Sequence, residues 1–135
     1  MKILAFEDNS SKVMTLESIF EVAQCTATII EQLPKSPSCR EFIQILDSLD
    51  EFDLILVDGS MPNGVDTADG FIQAMRKKYS GLMIGISSNS THRLRQIAAG
   101  CDSAVDLLTE IKKLLAVMAD INGDCQTTST ELIPA

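Results

Sequence analysis

The feature that most constrains the fold is a short apolar run that ends in an acid. Residues 54–57 are all large aliphatic residues, Asp58 follows them, and a Gly-Ser-Met-Pro turn comes next. Such a run, bounded by turn residues, predicts a strand buried on both faces of a sheet. Open α/β sheets bind ligands beyond the carboxyl ends of their strands. We therefore expect Asp58 at the ligand-binding edge of an α/β sheet.

A second apolar run is also followed by acidic residues. Residues 3–6 precede Glu7 and Asp8 near the start of the chain. Three acids at the ends of two buried strands cannot all ionise side by side without a cation. Carboxylates are the ligands that hard divalent cations prefer. The pattern predicts a divalent metal beside a reactive aspartate.

Strand and helix patterns alternate along the chain, which predicts a parallel sheet covered on both faces by helices. The predicted strands are residues 2–6, 26–30, 54–57, 82–86 and 103–105. The predicted helices are residues 10–23, a segment marked by apolar residues 42–49, and residues 68–79, 93–99 and 108–118. We expect one domain over residues 1–121 and a flexible C-terminal tail over residues 122–135.

Composition excludes several classes of protein. A formal net charge of −8 argues against direct nucleic-acid binding, which needs clustered Lys and Arg. No apolar stretch approaches the roughly 20 residues of a membrane span, and no secretion signal is expected. The four cysteines, Cys25, Cys39, Cys101 and Cys125, form no C-x-x-C pair. Reduced thiols and a cytoplasmic location are therefore expected.

The combined motifs resemble the receiver domain of bacterial two-component response regulators, a flavodoxin-like (βα)5 fold with a five-stranded parallel sheet. The resemblance covers about residues 2–120. It rests on an acidic pair after strand one, Asp-x-x-Met-Pro after strand three, Asp69-Gly70 at helix three, and a hydroxyl after strand four. Each motif is weakly specific, but their order on the expected elements is characteristic of that family.

The resemblance implies a phosphoacceptor site that uses Mg²⁺. It assigns the phosphorylated aspartate to Asp58, which is also a metal ligand. It assigns a direct metal ligand to Asp8 and a direct or water-mediated one to Glu7. It assigns a further metal ligand to the backbone carbonyl of Ser60. Two carboxylates, a carbonyl and several waters satisfy the octahedral preference of Mg²⁺.

The phosphoryl-binding side of the site is only partly typical of the family. Ser87 corresponds to the hydroxyl that hydrogen-bonds the phosphoryl group, and Ser88 to the small residue that leaves room for it. The family's lysine after strand five aligns with Leu107, and its switch aromatic on strand five aligns with Ala104. About four extra residues also lie between Met-Pro and Asp-Gly, within residues 63–68.

The resemblance implies a signalling module without enzymatic activity. Its expected partners are a sensor histidine kinase or phosphotransfer protein and a downstream output protein, with a homodimer possible. The two degenerate positions favour an alternative, a pseudo-receiver that acts as a phosphorylation-independent interaction scaffold. A phosphatase with an aspartyl nucleophile is disfavoured because Ser60 stands where those enzymes carry a second acid. A flavin carrier is disfavoured because Glu7 and Asp8 would repel the flavin phosphate.

Overall fold

The structure, a computed structural model, describes residues 1–59, 65–106 and 108–131, and for residues 65–68 and 122–131 it describes the backbone only. Its strands are β1 (Lys2–Phe6), β2 (Thr26–Ile30), β3 (Leu54–Asp58), β4 (Leu82–Ile86) and β5 (Ser103–Val105). Its α-helices are α1 (Ser10–Val22), α2 (Arg40–Asp47), α3 (Val65–Lys78), α4 (Ser90–Ala99) and α5 (Leu108–Glu131). A 3₁₀ turn, Leu49–Glu51, precedes β3.

The strands form one parallel sheet in the order β2-β1-β3-β4-β5. The expected flavodoxin-like (βα)5 fold is therefore confirmed. The order reverses direction between β1 and β3, which pair in register from Ile3 opposite Leu54 to Phe6 opposite Val57. A reversal of this kind opens a crevice at the carboxyl ends of the two strands. The acids that follow β1 and end β3 flank that crevice.

Alternate residues of the central strands face two separate cores, because successive side chains of a strand point to opposite faces. Leu4, Phe6, Ile55 and Val57 pack toward α2 and α3, where Phe42 and Phe71 meet edge to face at 4.6 Å. The opposite faces of β1, β3 and β4 pack on α1 and α5 through Ile3, Ala5, Leu54, Leu56, Ile84, Leu16, Phe20, Ile111 and Leu115. All of β3 is buried, as its aliphatic run predicts.

The five strands were predicted within one residue of their bounds, and the helices differ mainly at their ends. Helix α3 begins at Val65, three residues earlier than expected, and α4 begins at Ser90. Asn89 caps α4 by accepting hydrogen bonds from the next N–H groups, a signal that the predicted start at residue 93 overlooked. Helix α5 continues past residue 121 to Glu131. The division at residue 121 into a domain and a tail stays a prediction.

Two further features agree with the sequence. Gly100 ends α4 with φ +138°, a conformation in which a Cβ would meet the Arg76 side chain, so glycine suits this C-cap. In the described part of the chain, no helix has the length and apolar character that crossing a bilayer requires.

Candidate functional site

Three carboxylates meet at the crevice between β1 and β3. Asp58 is the last residue of β3, and Glu7 and Asp8 directly follow β1. One carboxylate oxygen from each of the three residues lies within 4.8 Å of the others. Glu7 and Asp58 are only 1% and 2% exposed, whereas Asp8 is half-buried at the rim. The structure thus brings together the three acids that the sequence predicted to share a site.

The Glu7 carboxylate has two different environments for its two oxygens. Oε2 accepts hydrogen bonds from the backbone N–H groups of Asp8 (3.1 Å) and Asn9 (3.4 Å). Oε1 is buried, and no described residue donates a hydrogen bond to it. Burial, and then the neighbouring Asp58 carboxylate, together raise the pKa of Glu7 to about 8. The geometry therefore favours a shared proton or a cation at this point.

Asp8 responds to the same crowding. Burial and then the nearby Asp58 side chain raise the pKa of the Asp8 carboxyl above its ordinary value. A divalent cation would relieve this like-charge repulsion and would give the orphaned Glu7 Oε1 a partner. The donor set of carboxylate oxygens fits Mg²⁺ in kind. Ser60, the predicted carbonyl ligand, lies outside the described residues.

Ser87 lies beside Asp58 at the same edge of the sheet. Asp58 pairs with Ile86 on β4, and Ser87 follows directly. Ser87 is 2% exposed, and its Oγ accepts a hydrogen bond from the Asn89 N–H at 3.1 Å. Ser88 is exposed and its side chain makes no hydrogen bond among those described. The two predicted phosphoryl-binding residues therefore differ, with a buried hydroxyl next to the carboxylates and a small exposed neighbour.

Gln96 is a buried polar residue beneath the site that sequence reasoning missed. It projects from α4, is 1% exposed, and donates from Nε2 to the Val57 carbonyl at 2.9 Å. Its amide occupies the space that a Cβ at Gly85 or Gly59 would fill. Gly85 was the one available signal, since a glycine inside a strand often marks a close approach by another group. Gln96 ties α4 to the strand that carries Asp58.

The two positions expected to be degenerate have different outcomes. Ala104 lies on β5, is half-buried, and pairs with Gly85 of β4. Two small residues thus lie side by side where the family resemblance expects an aromatic ring. Leu107 lies outside the described residues, and its assignment to the family's lysine position stays a prediction.

No protein-family profile matches this sequence, and no curated protein matches it. The structure is similar to a two-component response regulator from Clostridium difficile, with TM-score 0.66 and 16% identity over 90% of this chain and 98% of that one. It is similar to the receiver domain of a Pseudomonas aeruginosa sensor histidine kinase, solved with a magnesium ion coordinated in the active-site cleft, with TM-score 0.60 and 20% identity over 84% and 93% of the two chains.

A third similar structure is the beryllofluoride-activated NtrC4 receiver domain dimer, with TM-score 0.63 and 18% identity over 87% of this chain and 94% of that one. All three similarities extend over most of both chains, so they concern the whole fold and not a shared fragment. This chain therefore has the fold of response-regulator receiver domains.

Proposed function

We propose that this chain is a phosphoacceptor receiver domain of a two-component system, phosphorylated on Asp58 in the presence of Mg²⁺. The observation that carries the proposal is the cluster of buried Glu7 and Asp58 with half-buried Asp8 at the crevice between β1 and β3, beside which lies the Ser87 hydroxyl. Solvated surface acids would not be buried at one point with a raised Glu7 pKa. The likeness of the fold to receiver domains supports the same conclusion.

Glu7, Asp8 and Asp58 are the residues that would hold the metal, with the Ser60 carbonyl as a proposed fourth ligand. Bound there, Mg²⁺ would offset the carboxylate charges and allow a negatively charged phosphoryl donor to approach. The Glu7 oxygen that lacks a donor supports this role, because it is already desolvated and belongs to a carboxyl group that interacts with Asp58. Asp8, at the rim, leaves one side of the site open to solvent.

Asp58 is the proposed nucleophile. One carboxylate oxygen attacks the phosphorus of the donor, the new O–P bond gives an acyl phosphate, and the bond from phosphorus to the donor's histidine nitrogen breaks. The leaving nitrogen keeps the electron pair of that bond. Ser87, whose Oγ accepts a hydrogen bond from the Asn89 N–H, can donate its own hydroxyl proton in a hydrogen bond to one transferred oxygen.

The proposed partners are a sensor histidine kinase or phosphotransfer protein as donor and an output protein as receiver of the signal. The added phosphoryl charge of about −1.5 to −2 would change the contacts of the loops around Ser87 and hence partner binding. We propose a cytoplasmic location, with no direct role in nucleic-acid or membrane binding and no enzymatic activity toward a separate substrate. A homodimer is compatible with this function.

A phosphorylation-independent interaction scaffold is the second candidate function. Ala104 favours it, because a small residue opposite Gly85 offers no bulky side chain that could move with the state of Asp58. The intact acidic cluster favours the phosphoacceptor.

Intact-mass measurement after incubation with phosphoramidate or acetyl phosphate and Mg²⁺ tests the proposal. We expect the mass of one phosphoryl group on the wild type, its loss in alkali, and none on Asp58→Asn. Asp50→Asn, an exposed acid in the 3₁₀ turn, is the matched control and should be labelled normally. Labelling that persists in Asp58→Asn, or its absence in a wild type that binds Mg²⁺, would contradict the assignment, and the second result would favour the scaffold.

A further inference from the structure

Arg93 of α4 is attached to the main chain of the residue that flanks the acidic cluster. Its guanidinium Nη1 donates a 2.7 Å hydrogen bond to the carbonyl of Ser87. The same serine donates its N–H to the Val105 carbonyl of β5 at 3.0 Å. Arg93 therefore lies at the carboxyl edge of the sheet, beside the proposed phosphoryl-binding hydroxyl.

The Arg93 charge is not neutralised by an acid in the described part of the chain. None of the ion pairs formed there includes Arg93, whereas Arg95 pairs with Asp69 at 2.7 Å and Lys113 pairs with Glu110 at 3.3 Å. A guanidinium carries five N–H donors in a planar fork, and the bond to Ser87 uses one of them. Arg93 is also half-buried, so its field is less screened than that of an exposed side chain.

The proposed site needs a positive charge besides the metal. A phosphoryl group brings about −1.5 to −2 charge to a point already shared by Glu7 and Asp8. One divalent cation does not balance that total. Lys12 lies on α1, after β1, and its charge lowers the pKa of Glu7. Arg93 is the described cation that is bonded to the Ser87 side of the cluster.

We propose that Arg93 binds the phosphoryl group on Asp58 and so supplies from α4 the positive charge that this site requires. The inference rests on the proposed function of Asp58 as phosphoacceptor. Arginine suits the role because its planar guanidinium can stay hydrogen-bonded to the Ser87 carbonyl and still donate another N–H to a phosphoryl oxygen. The sequence agrees, since a leucine, Leu107, stands at the position that aligns with the family's lysine.

This arrangement would also make α4 sensitive to phosphorylation. Three hydrogen bonds already join α4 and its cap to the carboxyl edge of the sheet. Arg93 donates to the Ser87 carbonyl, the Asn89 N–H donates to the Ser87 hydroxyl, and Gln96 donates to the Val57 carbonyl. A phosphoryl oxygen that attracts Arg93 would change the balance of these contacts at the start of the helix.

Calorimetric titration of wild type, Arg93→Gln and Arg93→Lys tests the role of Arg93. Each protein is titrated with Mg²⁺ alone and then with beryllofluoride, a phosphoryl mimic, at saturating Mg²⁺. Gln can still donate a hydrogen bond to the Ser87 carbonyl but carries no charge. A loss of anion affinity in Arg93→Gln therefore reports the missing charge and not a disrupted fold. Arg95→Gln is the matched control, because its guanidinium is already paired with Asp69. Thermal melts verify that each variant is folded.

We expect Arg93→Gln to weaken beryllofluoride binding about ten- to a hundredfold, the range for a hydrogen bond to a charged group. It should leave Mg²⁺ affinity unchanged or slightly higher, because the substitution removes a nearby positive charge that repels the metal ion. Arg93→Lys should retain part of the anion affinity, and Arg95→Gln all of it.

Equal beryllofluoride affinity in wild type and Arg93→Gln overturns the inference and leaves the proposed function standing. Equal losses of Mg²⁺ and beryllofluoride affinity also overturn it, since they indicate a purely structural role. A wild type that binds Mg²⁺ but no beryllofluoride refutes the proposed function itself, and the inference with it.

Discussion

The Glu7 carboxylate lies against that of Asp58 at the adjoining ends of two paired strands, and both are almost completely buried. Desolvation of Glu7 and its interaction with the neighbouring Asp58 carboxylate act in the same direction, which is why the pKa of Glu7 rises to about 8. This contact is the basis of the first two predictions, which concern pH and divalent cations.

Stability of the metal-free protein should fall as pH rises from about 5.5 to 8.5. Glu7 has a pKa of about 8 in the folded state against an ordinary value of 4.5, so between these values only the folded state holds the proton. Its stabilising contribution is complete below the lower value and is lost as pH rises through the higher one. We expect a loss on the order of 3 kcal/mol, measured by denaturant unfolding in a chelator.

The control for this pH dependence is Glu7→Gln, which cannot ionise. Its unfolding free energy should depend much less on pH and should exceed that of wild type near pH 8.5. Saturating Mg²⁺ should also flatten the wild-type profile, because the metal favours the ionised carboxylate. Wild-type stability that rises across this interval would contradict a raised pKa for Glu7.

Divalent cations should stabilise the fold. Mg²⁺ or Mn²⁺ at a hundred times its Kd should add about 2.7 kcal/mol to the unfolding free energy. Asp8→Asn should remove most of that gain, while Asp50→Asn should keep it. The measurement is the melting temperature as a function of metal concentration. A wild-type melting temperature indifferent to millimolar Mg²⁺ would be evidence against a metal site at Glu7, Asp8 and Asp58.

Ser87 and Ser88 should respond differently to the same substitution. Ser87→Ala removes the buried hydroxyl beside Asp58 and should weaken beryllofluoride binding about tenfold, the loss of one hydrogen bond to a charged group. Ser88→Ala keeps a small exposed side chain and should bind as wild type does. Both variants should bind Mg²⁺ normally. Similar losses in the two variants would place the phosphoryl-binding hydroxyl elsewhere.

Gln96 and Gly85 should be energetically coupled. Gln96→Ala removes the donor to the Val57 carbonyl and should destabilise the fold by about 1–3 kcal/mol. Gly85→Ala places a methyl group against the Gln96 amide and should cost about 1–3 kcal/mol through overpacking. In the Gln96→Ala background the cost of Gly85→Ala should be smaller, which a double-mutant cycle measures by denaturant unfolding. If the destabilisations caused by the two substitutions simply add, the Gln96 amide does not lie against Gly85.

The sequence alone determined the layered fold and the position of the acids along it. Buried strands were visible because runs of aliphatic residues, such as residues 54–57, end at turn residues. Acids that follow such runs must lie at the carboxyl edge, because the strands of an alternating α/β chain are parallel. Glu7, Asp8, Asp58 and Ser87 were therefore predicted as neighbours without any coordinates.

Only the tertiary structure decided how those neighbours interact and what lies beneath them. The raised pKa of Glu7 depends on its desolvation and on its distance to Asp58, and neither is encoded in local sequence. Gln96 and Val57 are separated by 39 residues along the chain, and a glutamine that follows Arg95 resembles a solvated helix residue until α4 is docked on the sheet. The bond from Arg93 to the Ser87 carbonyl likewise requires the angle at which α4 leaves β4, because a hydrogen bond needs positions correct to a few tenths of an ångström. Hydrophobic periodicity specifies which faces are buried, whereas such contacts arise from the packing of whole elements.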